Sequence, residues 1–449
     1  MILKSSRLGD AIFASDAKKL KFEKFKLFAA SIALSAAIGL LSGFASALFL
    51  FALDVTTRYR EANLKLIYFL PLAGLLVGLL YKRYGARVDN GNNLVIDELH
   101  NPKSVIPLRM APLVFISTIV THLVGGSAGR EGTAVQMGAC IADQFSITKQ
   151  KRSKIHIHSV ERRKLLMIGM SAGFGSVFGV PFAGTIFGME VLSIGKIEWS
   201  VLIECAVATF VAHKITLACG IHHTPYTSPF IPSLSLSSVV SVIASGLIFG
   251  VVARMFVWLT EEVKTISKKV FPNLPIRSLF GGLIVATVFV CLPVTLRYSG
   301  LGVPVIVSAT QQPLPRYDWI GKAVLTALTL GTGFKGGEVT PLLFIGATLG
   351  NALGQLLPVA FSLLAAVGLV SVFAGAANTP LACTLMAMEL FGPQIMIYAA
   401  ISTYSAYLLS GHRGIYTAQR IHHHKLLFWR KHKLLFWRKP FTLFSRFSK

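Results

Sequence analysis

Two acids stand in glycine-rich stretches that run into apolar helices, one in each half of the chain. The first stretch is Gly125-Gly126-Ser127-Ala128-Gly129-Arg130-Glu131-Gly132-Thr133. The second is Gly331-Thr332-Gly333-Phe334-Lys335-Gly336-Gly337-Glu338-Val339-Thr340-Pro341. Each soon reaches a Gly-Ala pair, Gly138-Ala139 or Gly346-Ala347. A glycine loop feeding a helix start aims backbone N–H groups at an anion, at the positive end of the helix dipole. A carboxylate at that point, foremost that of Glu131, can occupy the anion's place. Burial favours the neutral form of such a carboxyl group and a helix start favours the charged form. The same side chain can therefore alternate between a charged plug and a protonated, displaced group.

The elements that must position these loops are membrane helices. The chain has 449 residues, 53% of them hydrophobic and 14% charged, where a soluble domain carries about 25% charge. Uncharged apolar runs cover Leu27–Leu53, Leu66–Tyr81, Leu165–Met189, Leu236–Val252 and Leu279–Leu296, with a longer one over Val339–Met388. A spanning helix needs about 20 such residues, so the chain reads as a polytopic, all-α membrane protein. Gly173, Gly175, Gly179 and Pro181 interrupt one run, and Gly375, Asn378 and Pro380 interrupt another. Broken helices at matching positions of two halves point to a binding site near the membrane midplane.

The halves also match in sequence. Pro181-Phe-Ala-Gly-Thr-Ile-Phe-Gly-Met-Glu190 and Pro380-Leu-Ala-Cys-Thr-Leu-Met-Ala-Met-Glu389 share Pro, Ala, Thr, Met and Glu in register, 199 residues apart. The Gly-Ala pairs are 208 apart; that offset aligns Gly129 with Gly337 and Glu131 with Val339, whereas a one-residue slip aligns Glu131 with Glu338. The sequence leaves this choice open. Symmetry gives Glu190 and Glu389 a structural role, in capping or packing.

The net charge of +25 is concentrated in the first 26 residues, in Lys149–Lys164 and after His412. That placement suits cytoplasmic loops and tails beside anionic lipid, not nucleic acid. The expected organisation is a basic cytoplasmic segment (1–26), a first membrane repeat (27–220), a connecting loop (221–234), a second repeat (235–415) and a basic cytoplasmic tail (416–449). The tail holds a tandem HKLLFWRK at 424–439, which suits a helix lying on the membrane surface. The five cysteines form no CxxC pair and read as small core residues. The N-terminus shows no apolar stretch with a cleavage site. His422–His424 has no acidic partners, so neither a metal nor a cofactor is expected.

In motif order and spacing the chain resembles the CLC family of anion channels and anion/proton antiporters over roughly residues 30–420. Gly129-Arg130-Glu131-Gly132-Thr133 looks like the family's G-[KR]-E-G-P motif. Gly337-Glu338-Val339-Thr340-Pro341 stands where G-x-F-x-P falls, and Gly91-Asn92-Asn93-Leu94-Val95 where G-S-G-I-P falls. Tyr416 matches an ion-contacting tyrosine. The departures are Asn92 for serine, Val339 for phenylalanine, Thr133 for proline, and Val191 where an inner proton-transfer glutamate belongs. That set is similar to the bacterial fluoride/proton antiporter branch.

The resemblance implies two inverted-topology repeats with re-entrant half-helices, in a homodimer of the bacterial inner membrane, both termini cytoplasmic. It implies fluoride export coupled to proton import, with a chloride channel or chloride/proton exchanger as the alternative. Glu131 becomes the gating and proton-exchanging residue, and Glu338 a possible inner proton relay or a static partner of Lys335 or Arg130. Asn92, Gly129, Arg130, Gly132, Val339, Thr340 and Tyr416 become the anion's contacts. Fluoride is small and strongly hydrated, so its site needs close donors such as the Thr340 hydroxyl and the Asn92 amide. Gly-Asn-Asn is equally a turn signal; for Tyr416 ion contact is the favoured reading over an interfacial anchor. A reading from another class is an intramembrane hydrolase using Ser127 with His122. A serine nucleophile needs a base within hydrogen-bond reach, and no acid adjoins His122 to orient it.

Overall fold

A computed structural model describes residues 3–152 and 159–425, with side chains over 22–146 and 162–425. The tandem octapeptide from residue 426 onward and the centre of the 149–164 basic segment lie outside the described residues. Eight helices follow one another in the first half: α1 (Leu3–Ala62), α2 (Leu70–Tyr84), α3 (Asn92–His100), α4 (Met110–Leu123), α5 (Glu131–Arg152), α6 (Ser159–Phe178), α7 (Pro181–Glu190) and α8 (Leu202–Ala218). The second half repeats the order: α9 (Leu236–Val270), α10 (Leu274–Cys291), α11 (Val303–Gln311), α12 (Asp318–Gly331), α13 (Val339–Gly354), α14 (Phe361–Ala377), α15 (Pro380–Phe391) and α16 (Met396–Leu409). Residues 221–235 between them carry no regular secondary structure. Helix α1 runs through residue 26 without a break, because no proline stops it where the composition changes.

Long apolar helices, α1, α2, α8, α9 and α10 with their flanking turns, are able to cross a membrane. Shorter ones such as α13 and α14 are buried along almost their whole length. Non-helical backbone is tolerated at membrane depth only inside such a protein shell. Packing repeats as well: α5 lies on α6 as α13 lies on α14, and α1 on α8 as α9 on α16. Small residues make this close approach possible. A Cβ on Gly169 of α6 would stand 2.6 Å from the Ala142 Cβ of α5, and Gly346 packs in the same way on Gly368. The Gly-Ala pairs are thus the contact faces of these helix pairs.

Both halves stop a buried helix and restart it with one device. Gly179 after α6 has φ +77° and Asn378 after α14 has φ +61°, each two residues before the proline that opens the next helix. Helices α7 and α15 then run antiparallel and cap each other. The Glu190 carboxylate accepts the N–H groups of Leu381 (3.0 Å) and Ala382 (2.8 Å). Glu389 accepts those of Phe182 (2.9 Å) and Ala183 (2.8 Å). Each acid meets orphan donors at the other helix's positive end.

A short parallel ladder, β1 (Ser193–Ile194) with β2 (Arg420–Ile421), ties the segment after α16 to the end of α7. Gln419 helps by donating its Nε2 to the carbonyls of Val191 (2.7 Å) and Ala377 (2.9 Å). Cys140, Cys205 and Cys383 are buried as expected, but Cys219 and Cys291 are exposed, because they fall at the ends of α8 and α10.

Candidate functional site: two helix starts and a carboxylate between them

The two glycine loops meet. Gly129 and Gly337 form an antiparallel bridge, with Gly129 N–H donating to the Gly337 carbonyl at 2.6 Å and Gly337 N–H to the Gly129 carbonyl at 2.7 Å. This pairing adopts the 208-residue offset, so Glu131 and Val339 are the symmetry-equivalent first residues of α5 and α13. Neither glycine has room for a side chain: a Cβ on Gly129 would stand 2.8 Å from the Gly337 carbonyl oxygen, and one on Gly337 2.9 Å from the Gly132 nitrogen.

The Glu131 side chain is fully buried and reaches across to the opposite helix. Its Oε2 accepts the Thr340 N–H at 3.1 Å, the Thr340 hydroxyl, and the Arg130 N–H at 3.2 Å. Oε1 has no hydrogen-bond partner, with the Arg130 Nε 3.5 Å away. The carboxylate therefore sits in an anion site made by the start of α13, and its own helix contributes only the preceding N–H. Gly132 and Asn92 flank it, the Asn92 Nδ2 lying 3.0 Å from where a Gly132 Cβ would be. Asn92 opens α3 after Gly91, whose φ is +56°. The Asn92 Oδ1 is buried without a partner. Turn and site coincide there. Val339 is buried and apolar. Thr133, in the proline's place, shares a hydrogen bond of 2.8 Å with the Thr118 hydroxyl.

On one side of this junction lies a cavity of about 470 Å³ whose wall includes Asn92, Gly337, Glu338 and Tyr416. The Tyr416 ring packs edge-on against Phe187 at 6.3 Å, and its buried hydroxyl has no partner. Glu338 is not the static partner of Lys335 or Arg130: Lys335 pairs with Asp89 at 2.6 Å, and Arg130 turns to Glu131. Thus Glu131, Gly129, Arg130, Gly132, Val339, Thr340 and Asn92 come together at the junction, while Glu338 and Tyr416 stand below it on the cavity wall.

Ser127 and His122 do not form a nucleophile pair. The Ser127 hydroxyl bonds that of Thr326 at 2.9 Å, and the His122 Nε2 lies 3.4 Å from the Gly129 carbonyl. Among the described residues no group of three metal-ligating side chains occurs.

Several residues here were not anticipated. Lys322, fully buried on α12, donates to the carbonyls of Tyr298 (2.9 Å) and Gly300 (2.7 Å). An ionisable residue at such depth is the signal that marks it. Glu261, Lys264 and Lys268 line the cavity from one face of α9, and their i, i+3, i+7 spacing was visible in the sequence. Arg162 binds Asp143 (2.7 Å) and Glu98 (2.9 Å), fixing α3, which carries Asn92, to α5 and α6.

Inverted halves, short buried helices and two facing helix starts around one carboxylate define a multi-pass membrane protein of the channel and transporter class. Comparison with known proteins gives the family. The family model for voltage gated chloride channels matches residues 73–411. A chloride/fluoride channel protein of Pseudomonas syringae pv. tomato is 49% identical over 399 residues, 88% of this chain and 87% of that protein. The crystal structure of a CLC-type fluoride/proton antiporter matches with a TM-score of 0.83 and 38% identity, over 88% of this chain and 98% of that one. A slow cyanobacterial Cl⁻/H⁺ antiporter, at 19% identity and a TM-score of 0.73, covers 85% of this chain and 94% of its own and shares the fold. The chain belongs to the CLC (voltage gated chloride channel) family.

Proposed function

We propose that this protein exports fluoride in exchange for protons, and that Glu131 carries the exchange. The observation that carries this reading is the Glu131 carboxylate bound to the Thr340 N–H and hydroxyl, where a small anion would bind. Protonation weakens that hold, because a neutral carboxyl group gives up the charge that the helix start favours. The side chain then leaves, and an anion takes the donors. A small, hard anion gains most from a site of short hydrogen bonds, supplied here by Thr340, the N–H groups of Arg130 and Gly132, and the Asn92 amide. Val339 keeps the junction dry. The Tyr416 hydroxyl offers a further donor on the cavity side, and Glu338 relays protons there, standing in for the acid absent at Val191.

The cavity is the cytoplasmic vestibule in this reading. Lys264 and Lys268 at its wall accord with positive charge on the inner face. Both termini lie on that side, residues 27–220 and 235–415 are the two repeats, and the protein acts as a homodimer in the bacterial inner membrane, in contact with lipid. The name of the fluoride/proton antiporter supports fluoride as the cargo, while that of the Pseudomonas relative gives chloride and fluoride together. The physiological logic is weak-acid trapping: hydrogen fluoride enters neutral, dissociates in the more alkaline cytoplasm, and must be expelled as the ion.

The test is reconstitution in liposomes loaded with fluoride or chloride, with anion efflux and internal pH followed together. Fluoride efflux well above chloride, coupled to proton movement, is the expected result. Equal movement of both anions would assign the protein to chloride-type transport instead.

A further inference from the structure

We propose that Glu261 is the cytoplasmic mouth of the proton route, exchanging protons between bulk water and Glu338; this rests on the coupled-exchange reading above. Glu338 is the carboxylate next to the anion junction on the cavity wall, and Glu261 faces the same cavity from α9. Lys264, one turn along α9 from Glu261, lines the same cavity. The Glu261 carboxylate is held by Arg413, whose Nε lies 3.0 Å from Oε2, and its side chain is 27% exposed. It is therefore in touch with water, whereas Glu131 has no exposure at all. The Tyr416 hydroxyl, buried and unpartnered, lines the same cavity, so a polar group stands ready to order water along this wall.

The residues around Glu261 suit transfer better than a fixed ion pair. Arg413 is 77% exposed, and such a pair contributes little to stability. The nearby charges are Lys264 and Lys268 on its own helix, Arg413 after α16, and the Lys335–Asp89 pair lining the same cavity. In the inward step a protonated Glu338 gives its proton through cavity water to the Glu261 carboxylate. Glu338 is left charged and Glu261 neutral, and Glu261 then releases the proton to bulk water. Arg413 pairs with the carboxylate from an exposed position and takes no part in the transfer.

The experiment measures proton and fluoride flux in liposomes with the wild-type protein, Glu261→Gln and Arg413→Gln, at low and high concentration of a small mobile buffer such as imidazole on the vestibule side. Glu261→Gln should slow coupled transport about tenfold at low buffer, less than the loss of a fully enclosed proton-transfer group because cavity water offers a bypass. It should recover at high buffer with its fluoride-to-proton ratio unchanged. Arg413→Gln, which keeps the carboxylate, should stay within about twofold of wild type. The proposal is overturned if Glu261→Gln matches wild type, if its slowing ignores buffer, or if Arg413→Gln is slowed equally, since the pair would then be only a strut. Wild-type protein that moves no protons with fluoride would instead overturn the exchange reading itself.

Discussion

The two loop-to-helix junctions share a backbone and differ in where they carry their acid. In the first, Glu131 is the first residue of α5; in the second, Glu338 precedes Val339, the first residue of α13. A shift of one position sends the carboxylates to different places. Glu131 crosses to the donors of Thr340, while Glu338 falls outside the junction and faces the cavity. By contrast, α7 and α15 keep their symmetry, each acid capping the other helix. Duplication thus supplied two equivalent helix starts. Only one carries an acid that reaches across, and the other holds it; in the function proposed above these are plug and socket.

Removing the plug's charge is the sharpest way to break this comparison. Glu131→Gln should leave anion movement in place while proton coupling, read as internal pH change per fluoride released, falls to background. If coupling survives, the asymmetry between the junctions is not functional. Glu338→Gln should slow proton delivery without displacing the anion: fluoride binding, followed by calorimetry, stays near wild type while coupled flux falls by about 10²-fold, the scale of a general acid–base group. A mutant with weakened binding and intact proton flux would reverse the two roles.

The socket is tested by Thr340→Val, which deletes the hydroxyl and keeps the N–H. A hydrogen bond to a charged group contributes about 1.5–3 kcal/mol, so fluoride affinity should drop roughly ten- to hundredfold. Unchanged affinity would leave the backbone N–H as the only relevant donor. The symmetric pair gives the smallest effect. Glu190→Gln and Glu389→Gln should each cost about 1 kcal/mol in thermal or denaturant unfolding in detergent, the scale of a charge at a helix start. Unequal losses would show that this part of the duplication has also diverged.

Much of the molecule was legible in the chain. Composition and run length suffice for a polytopic membrane protein, since about 20 uncharged residues have few alternatives to a spanning helix. Gly179-Val180-Pro181 and Asn378-Thr379-Pro380 mark helix breaks by local backbone chemistry, and the structure breaks at both. The glycine loops announce facing helix starts for the same reason. The cavity wall on α9 was less legible: Glu261, Lys264 and Lys268 read equally well as a solvated helix end until a cavity is seen beside them.

What the sequence by itself determined are the features set by neighbours along the chain: membrane helices, their breaks, the repeat and the acid at each junction. Only the tertiary structure decided which partner each acid takes. It aligned Gly129 with Gly337 and so excluded the one-residue slip. It bound Glu131 to Thr340, 209 residues away, and gave Lys335 to Asp89, leaving Glu338 to the cavity. The physical reason is that a helix start exposes unsatisfied donors whatever follows it. Which carboxylate fills them depends on the packing of distant helices, and no local pattern encodes that.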